Sequence, residues 1–596
     1  MPKEKINRIR KSRLYPLLAV PGYVLAYVLQ YLAIELSCQR PGELAGLPFI
    51  CHVIAIVGLM FVGQLLLLIT GSVRWSLTLG AVFTTVLAVG NYYVYLLHGT
   101  PFTFALMTNV NTALDVLSAY EIRIGKRVLF IVGLGIFQIL WAWAVFYKGC
   151  WNRKKSLIPG VLLLGAVYGL FVGGNVIPRD VVGWSWTDAI SRVGYTNSLI
   201  QATLQSGHAT IRPQGYDEKA LEDFTRSHPA PEGDRQHPDL ILILNETFFD
   251  LRQIADVDPD GEFLPVIENL PNTVRGYAVV PGIGGGTNKS EFELLTSNTL
   301  QVAPNITPFN FFDMQQVHSV VSLLEGAGYE TFAAHNAPAS NYNREVCYPD
   351  MGFDQVKFEG DFENSRRYFD HRFPTDESVY ENMLEWYGQM GEGPRFFYML
   401  TIQNHGGYTF LKDENVTVHT QNDFGEHTGE VDQFMTLISQ SDRAFGLLTD
   451  ALKESERDVI VCMVGDHGPS FIREIADDSL TPDQWELGLR STPFIIWSNH
   501  IDLTGAQVPE RISMPFLVPT VLELGDMPLS GYYDFLLELR DQVPVVSAYG
   551  SYQTADGKIG RYADLEGDRW DIGKAMGFSY ADINGIDFMD TFARAS

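Results

Sequence analysis

Cysteine is scarce. The 596 residues hold five, Cys38, Cys51, Cys150, Cys347 and Cys462, at scattered spacings. That pattern makes neither a structural zinc cluster nor a disulfide scaffold. No fixed-period repeat or low-complexity tract runs along the chain, which excludes solenoid and collagen-like architectures. A hydrophobic content of 46% with 12% aromatics excludes a disordered chain. Basic charge is also short, and unevenly so. Residues 1–175 carry 15 Lys/Arg against 5 Asp/Glu, whereas 176–596 carry 28 against 65. A back half that acidic repels phosphate backbones, so no nucleic-acid partner is expected.

Charge is nearly absent from five apolar runs, 14–36, 47–70, 75–98, 128–147 and 157–174, of 18–24 residues each. As helices these lengths cross a hydrocarbon layer about 30 Å thick. The first run is too long, and has too many successors, for a cleaved signal peptide. The basic residues Lys3, Lys5, Arg8, Arg10, Lys11 and Arg13 precede run one, and Lys148, Arg153, Lys154 and Lys155 lie between runs four and five. Five spans put both groups on one side, which the positive-inside rule assigns to the cytoplasm despite Arg123, Lys126 and Arg127 outside. Everything after run five is then extracytoplasmic, and the expected location is the plasma membrane, multi-pass. The outer loop 99–127 repeats apolar residues at helical spacing (Leu106, Val110, Leu114, Leu117), as surface-lying amphipathic helices or a plain connection.

Residues 176–237 read as a polar approach segment ending in the linker SHPAPEGDRQHP. Beyond it come β-prone runs: DLILILN from 239, ETFAAHN at 330–336, RFFYMLTIQNHGG at 395–407, DVIVCMVGDHGPS at 458–470 and TPFIIWSN at 492–499. Helical patterns at 316–327, 376–389 and 430–455 separate them, which predicts a doubly wound sheet. Four runs end in polar pairs: Asn245-Glu246, His335-Asn336, Asn404-His405 and Asp466-His467. Open α/β sheets bind ligands beyond the carboxyl ends of their strands, so these pairs predict a metal site there.

The Gly run in VVPGIGGGTNKSEFELL lacks the Gly-Lys-Ser/Thr ending of a nucleotide loop and is not a dinucleotide fingerprint. It places Thr287 at a helix start, where free N–H groups favour an anion, although threonine is also an ordinary cap. Ser290, one turn on, lies near the same face, and spacing leaves both hydroxyls open. Glu246, Thr287, Asp466 and His467 together offer three oxygen donors and one nitrogen, suited to Mn²⁺, Zn²⁺ or Mg²⁺.

These residues resemble the lipoteichoic acid synthase family, within the alkaline phosphatase/sulfatase-like superfamily. The resemblance runs over nearly the whole chain. It implies an N-terminal five-helix transmembrane domain (1–175), an extracellular linker with helices (176–237) and an α/β sulfatase-like extracellular domain (238–540). Residues 541–596 have no counterpart. It implies one divalent metal, typically manganese, on Glu246 in NETFF, Thr287 in GGGTNKSEFE and Asp466-His467 in GDHG, with Thr287 as nucleophile. Tyr342 and Arg344 in the aromatic-Asn-Arg segment, and His405, match its substrate pocket; Tyr342 stands where well-known members carry Trp. The activity implied is transfer of glycerophosphate from phosphatidylglycerol through a phosphothreonine-type intermediate to an envelope glycopolymer or glycolipid. A phosphoethanolamine transferase uses the same chemistry, and so does a related hydrolase. No Cys/Ser-x-Pro-x-Arg segment marks a sulfatase nucleophile. A catalytically silent membrane sensor or scaffold would have lost a ligand or the nucleophile, and all four residues are present.

Overall fold

The computed structural model describes residues 15–98, 101–102, 124–146, 153–173, 186–205, 210–233, 235–304, 306–339, 341–477, 479–562 and 569–594. The chain divides into two compact units, one reaching from the N-terminus to Gly207 and the other built mainly from residues 208–596. Most of the outer-loop segment expected to carry amphipathic helices, 103–123, lies outside the described residues.

In the first unit each apolar run is a helix: α1 (Tyr15–Glu35), α2 (Phe49–Thr70), α3 (Val73–His98), α4 (Lys126–Val145) and α5 (Arg153–Gly173). Among the described residues α2, α3 and α4 are long and apolar enough to cross a membrane. All five turn apolar side chains outward, among them Val20, Ile69, Val86, Leu140 and Leu162. Gln30, Gln64, Thr84, Asn91 and Gln138 are buried between them. Polar inside and apolar outside is the arrangement a hydrocarbon solvent selects, because an amide there must find its partners within the bundle. Two short helices, α6 (Trp186–Val193) and α7 (Tyr195–Gln205), group with this bundle. The Glu35 carboxylate explains their place: it accepts the Tyr195 and Thr196 amides at 2.7 and 2.9 Å and so caps α7. The approach segment is therefore not one linker. Its helix α8 (Glu218–Ser227), capped by Asp217, belongs to the second unit.

The second unit is built on an eight-stranded sheet: β1 (Asp239–Asn245), β2 (Thr273–Val279), β3 (Glu330–His335), β4 (Gln355–Phe358), β5 (Arg395–Leu400), β6 (Val459–Gly465), β7 (Ser491–Ser498) and β8 (Arg511–Ser513). Their order is β4-β3-β5-β1-β6-β7-β2-β8. The central strands β1, β5 and β6 are buried along their whole length, as their unbroken apolar runs require. The sheet is mixed, not wholly parallel, because β7 lies antiparallel to both β6 and β2. Strand β2 escapes the sequence pattern: TVRGYAV exposes Arg275 and is only partly buried, so no continuous apolar run marks it. Helices α9 (Thr287–Thr296), α10 (Val320–Gly326), α11 (Asp376–Gln389) and α12 (Thr428–Leu452) connect the strands. The 316–327 pattern yields a shorter helix because Ser319 caps it with a reciprocal Ser322 bond.

Residues 541–596 belong to this unit and form a small three-stranded sheet, β9 (Val545–Val546), β10 (Ser551–Gln553) and β11 (Ile559–Arg561), then helices α13 (Arg569–Ile583) and α14 (Phe588–Ala593). His318 ties α13 and α14 to the body. Its Nδ1 lies 2.5 Å from Asp582 and its Nε2 3.2 Å from Asp590. Burial alone would pull the ring down, but these carboxylates outweigh it and hold the pKa above the ordinary histidine value. Both nitrogens face acceptors, so the imidazolium fits and a neutral ring leaves one bond unmade.

A raised folded-state pKa stabilises below the ordinary value and is lost as pH rises through the folded one. Amide exchange over 576–594 in the full chain should therefore show local stability falling as pH rises above the ordinary histidine value of about 6.5. His318→Gln should remove that pH dependence and lower local stability by about 1–3 kcal/mol. An unchanged pH profile in the variant would refute the tie.

Candidate metal and catalytic site

Strands β1 and β6 pair in parallel with Asn245 opposite Gly465. The next residue on each, Glu246 and Asp466, therefore leaves the ladder beside the other. The turn after β1 crosses β6 so closely that a Cβ on Gly465 would lie 1.9 Å from the Phe248 carbonyl oxygen, so only glycine fits. Thr247 takes a left-handed φ of 50° in that turn, and its amide donates to Asp466 Oδ1 at 2.7 Å.

Glu246, Asp466 and His467 are buried, with ligand atoms all within 4.8 Å of one another. His467 Nε2 lies 3.3 Å from Asp466 Oδ2 and 3.6 Å from Glu246 Oε1. The other ring nitrogen, Nδ1, is 3.0 Å from the Gly468 carbonyl. A carbonyl can only accept, so the proton sits on Nδ1 and the Nε2 lone pair faces the carboxylates. Asp466 Oδ2 is buried without a hydrogen-bond partner among the described residues. Burial, then the Asp466 carboxylate, push the Glu246 carboxyl well above the usual range. A bare acceptor and two crowded acids are what a divalent cation relieves. Two carboxylates and an imidazole fit a hard or borderline divalent ion, the class expected from the sequence.

Thr287 arrives from the loop after β2. Gly284, Gly285 and Gly286 have φ of 65°, 148° and 96°, and a Cβ at Gly282 would meet the Gly285 carbonyl at 2.6 Å. The loop is pinned at both ends: the Gly284 amide donates to the Gly468 carbonyl at 3.0 Å, and Arg490 Nη1 donates to the Pro281 carbonyl at 2.5 Å. Thr287 then opens α9 with Gly286 as cap. Its Oγ1 lies 3.4 Å from Glu246 Oε2 and 3.5 Å from His467 Nε2. Ser290 points elsewhere and donates to the Asp466 backbone carbonyl at 2.6 Å. Spacing left the two hydroxyls equivalent; their partners separate them.

The expected pocket residues come near the same place. Tyr342, at a left-handed φ of 55°, stacks over Arg344, whose guanidinium lies 5.0 Å from the ring centre. Arg344 is buried, and its Nε and Nη2 donate to Glu291 Oε2 at 3.0 and 2.8 Å. Burial would lower its pKa, but Glu291 outweighs this and holds the charge firmly on. Its Nη1 edge reaches only the Asn341 carbonyl, at 3.4 Å, among the described residues. His405 lies 5.2 Å, ring to ring, from Phe373, and burial, then His467, push it down to about 4.

Sequence reading missed Glu291, which anchors Arg344, Tyr348 and Tyr398 from within the Thr287 helix. An acid one helical turn after the Thr, flanked by Ser and Phe, was the available signal. It also missed Arg490 and Tyr549, whose ring lies 3.8 Å from the Arg490 guanidinium and links 541–596 to the Gly loop. Of the polar strand ends, two asparagines are framework. Asn404 donates to Asn245 Oδ1 at 3.0 Å, and Asn245 donates to Asp376 at 2.7 Å. His335 is held by the Leu400 carbonyl at 3.0 Å.

Residues 238–527 match the Sulfatase family. A provisionally named cyclic beta-1,2-glucan modification protein of Rhizobium meliloti (strain 1021) is 26% identical over 353 residues, 56% of this chain and 53% of that protein. The capsular polysaccharide biosynthesis protein RkpI of the same strain is 22% identical over 250 residues, 41% of this chain and 44% of that one. The chain thus spans about half the length of these curated relatives. Among solved structures, Streptococcus pyogenes phosphoglycerol transferase GacH in complex with sn-glycerol-1-phosphate superposes with a TM-score of 0.52 at 20% identity. That match covers 65% of this chain and 100% of GacH, and shows a shared fold.

Removing one hard oxygen should empty the site. Elemental analysis of purified Asp466→Ala or Glu246→Ala should find divalent metal well below one equivalent per chain, against about one in the unmodified protein. Ser290→Ala should retain full metal. Full occupancy in either acid variant would remove that residue from the ligand set.

Proposed function

We propose, from a match to the Sulfatase family over residues 238–527 in a chain that also carries apolar helices long enough to cross a membrane, that this chain is a membrane-anchored, metal-dependent transferase. It moves glycerophosphate from phosphatidylglycerol to a cell-envelope glycopolymer or glycolipid. The observation that carries this reading is the Thr287 hydroxyl, seated at a helix start between Glu246 and His467 Nε2.

Glu246, Thr287, Asp466 and His467 would hold the ion, with Mn²⁺ the expected occupant. When bound, a divalent ion supplies Lewis acidity that lowers the pKa of a hydroxyl and draws charge from a phosphoryl oxygen. The protein's own residues do the rest. Thr287 Oγ1 bonds to phosphorus as the bond to the diacylglycerol oxygen breaks, leaving glycerophospho-threonine; the departing oxygen takes a proton and leaves as diacylglycerol. An acceptor hydroxyl then bonds to the same phosphorus, and the Thr287 hydroxyl is restored. The N-terminal end of α9, the positive end of its dipole, favours the anionic group throughout. The Arg344 Nη1 edge orients the phosphate, and Tyr342 with neutral His405 lines the head group. The ion pair with Glu291 fixes the guanidinium in advance, so little ordering is left for binding.

Both Rhizobium relatives are named for saccharide polymers, which supports a glycan acceptor. Five spans with the basic N-terminus inside put the catalytic domain outside the cytoplasm, where such acceptors lie. Tethering to the bilayer keeps the site at high effective concentration of lipid head groups.

Thr287→Ala should abolish turnover while sparing the fold, and Ser290→Ala should keep substantial activity. Peptide mapping after incubation with phosphatidylglycerol should find an adduct of about 154 Da on the Thr287 peptide, as covalent catalysis requires. Diacylglycerol released from phosphatidylethanolamine alone would replace glycerophosphate by phosphoethanolamine transfer. An active Thr287→Ala protein would refute the nucleophile.

Topology is tested separately. Protease added to intact cells should trim the region after 176 while the N-terminus stays protected. Protection of that region until the membrane is opened would reverse the orientation.

A further inference from the structure

The segment 366–374, RRYFDHRFP, folds as a narrow projection beside the site. An isolated antiparallel bridge joins Arg367 to Pro374, and the Thr375 amide donates to the Arg366 carbonyl at 2.7 Å. At its tip the His371 amide donates to the Tyr368 carbonyl at 2.9 Å, which turns the chain through Phe369 at a φ of 46°. The turn is held on its inner side, where buried His371 sets Nε2 2.5 Å from the Gln403 carbonyl and Phe373 packs on His405 at 5.2 Å between ring centres. The projection thus stands on the rim of the candidate pocket.

Its tip is unusual for this unit. Among the described residues from 210 onward, the strongly exposed large apolar side chains are Val346, Phe369 and Leu447, and Phe369, 65% exposed, is the one aromatic. Flanking it are three arginines within seven residues. Arg366 pairs with Glu377 and Glu381. Arg367 and Arg372 are exposed and make no ion pair with the described residues. Lys412 adds a further exposed cation, 3.2 Å from Asp370 at the tip. All this sits in a stretch, 176–596, with 28 basic and 65 acidic residues. An anionic bilayer repels such a surface as a whole, so close approach of the pocket to lipid needs a local cationic contact. An exposed aromatic beside arginines is the chemistry of a membrane interface: the ring enters the head-group layer and the guanidinium groups meet phosphate.

From this we infer that the 366–374 projection docks onto the anionic lipid head-group surface and holds the pocket mouth against its lipid substrate. The inference rests on the lipid-donor reading for its use in turnover; the docking itself is a physical contact that can be read without turnover.

The test uses the full chain in nanodiscs, of phosphatidylcholine alone or with phosphatidylglycerol. Amide exchange of the peptide covering 366–374 should slow in the phosphatidylglycerol discs. One arginine at an anionic surface changes partition roughly fivefold, so Arg367→Glu combined with Phe369→Asp should abolish the protection. The same variant should raise the apparent KM for donor in the disc, with turnover of a water-soluble short-chain phosphatidylglycerol within about twofold of the parent. Both side chains are exposed; should the double variant misfold, Arg367→Gln alone should weaken the protection. Equal exchange in the two discs would overturn the inference. So would protection produced by a soluble neutral glucan and not by phosphatidylglycerol, which would make the projection an acceptor site. Protection by phosphatidylglycerol without turnover of any lipid would uphold the docking and remove the donor reading.

Discussion

The candidate site depends on one strand pairing. Because β1 and β6 run parallel with Asn245 opposite Gly465, two carboxylates are delivered side by side into a buried pocket. Like charges so placed repel, and burial strengthens the repulsion. The surroundings answer with donors: the Thr247 amide to Asp466, the Thr247 hydroxyl to Glu246, and Thr287 to Glu246. One acceptor, Asp466 Oδ2, is still left bare. The unrelieved charge is why the pocket reads as a cation site, and the Thr hydroxyl beside it is why it reads as a nucleophile site.

Around this pair the fold adds rigidity in layers. Beneath it, Asn245, Asn404, Asp376 and Ser441 form a closed hydrogen-bonded network that fixes the strand ends. Beside it, Glu291 on the helix that Thr287 opens immobilises Arg344, so one helix positions both the hydroxyl and the cation. From the far end of the chain, Tyr549 stacks on Arg490, which grips the Gly loop at Pro281. Residues 541–596 are thus packed against the loop that carries the candidate nucleophile, although the family match ends at 527.

The two units show opposite solvents at work. In the apolar bundle, glutamines and an asparagine are inside and leucines, valines and phenylalanines outside. In the α/β unit the apolar strands are inside and acidic residues cover the surface. A membrane-anchored protein with a buried polar site needs both, one part to hold the bilayer and one to exclude water from that site. The cationic rim at 366–374 offers a place where such an acidic domain can meet an anionic surface.

Sequence alone settled what depends on local composition and unbroken runs. The five apolar helices, the central strands β1, β5 and β6, and the α11 and α12 helices were legible because each buries a continuous or periodic apolar face. Glu246, Thr287, Asp466 and His467 stood out as candidates because chemistry-bearing types cluster at strand ends and after a Gly run, and the fold brings these four together. What tertiary structure alone decided is which polar groups face one another. Thr287 and Ser290 differ only in their partners, Glu246 and His467 for one and a backbone carbonyl for the other. Asn404 and His405 are neighbours in sequence, yet one hydrogen-bonds into the Asn245 framework and the other packs against Phe373. Strand β2 and the antiparallel direction of β7 depend on pairing partners far away in the chain, and so does the grip of Tyr549 through Arg490 on Pro281. No local pattern encodes these contacts, because their energy comes from burial and hydrogen bonding between segments that only the folded sheet brings together.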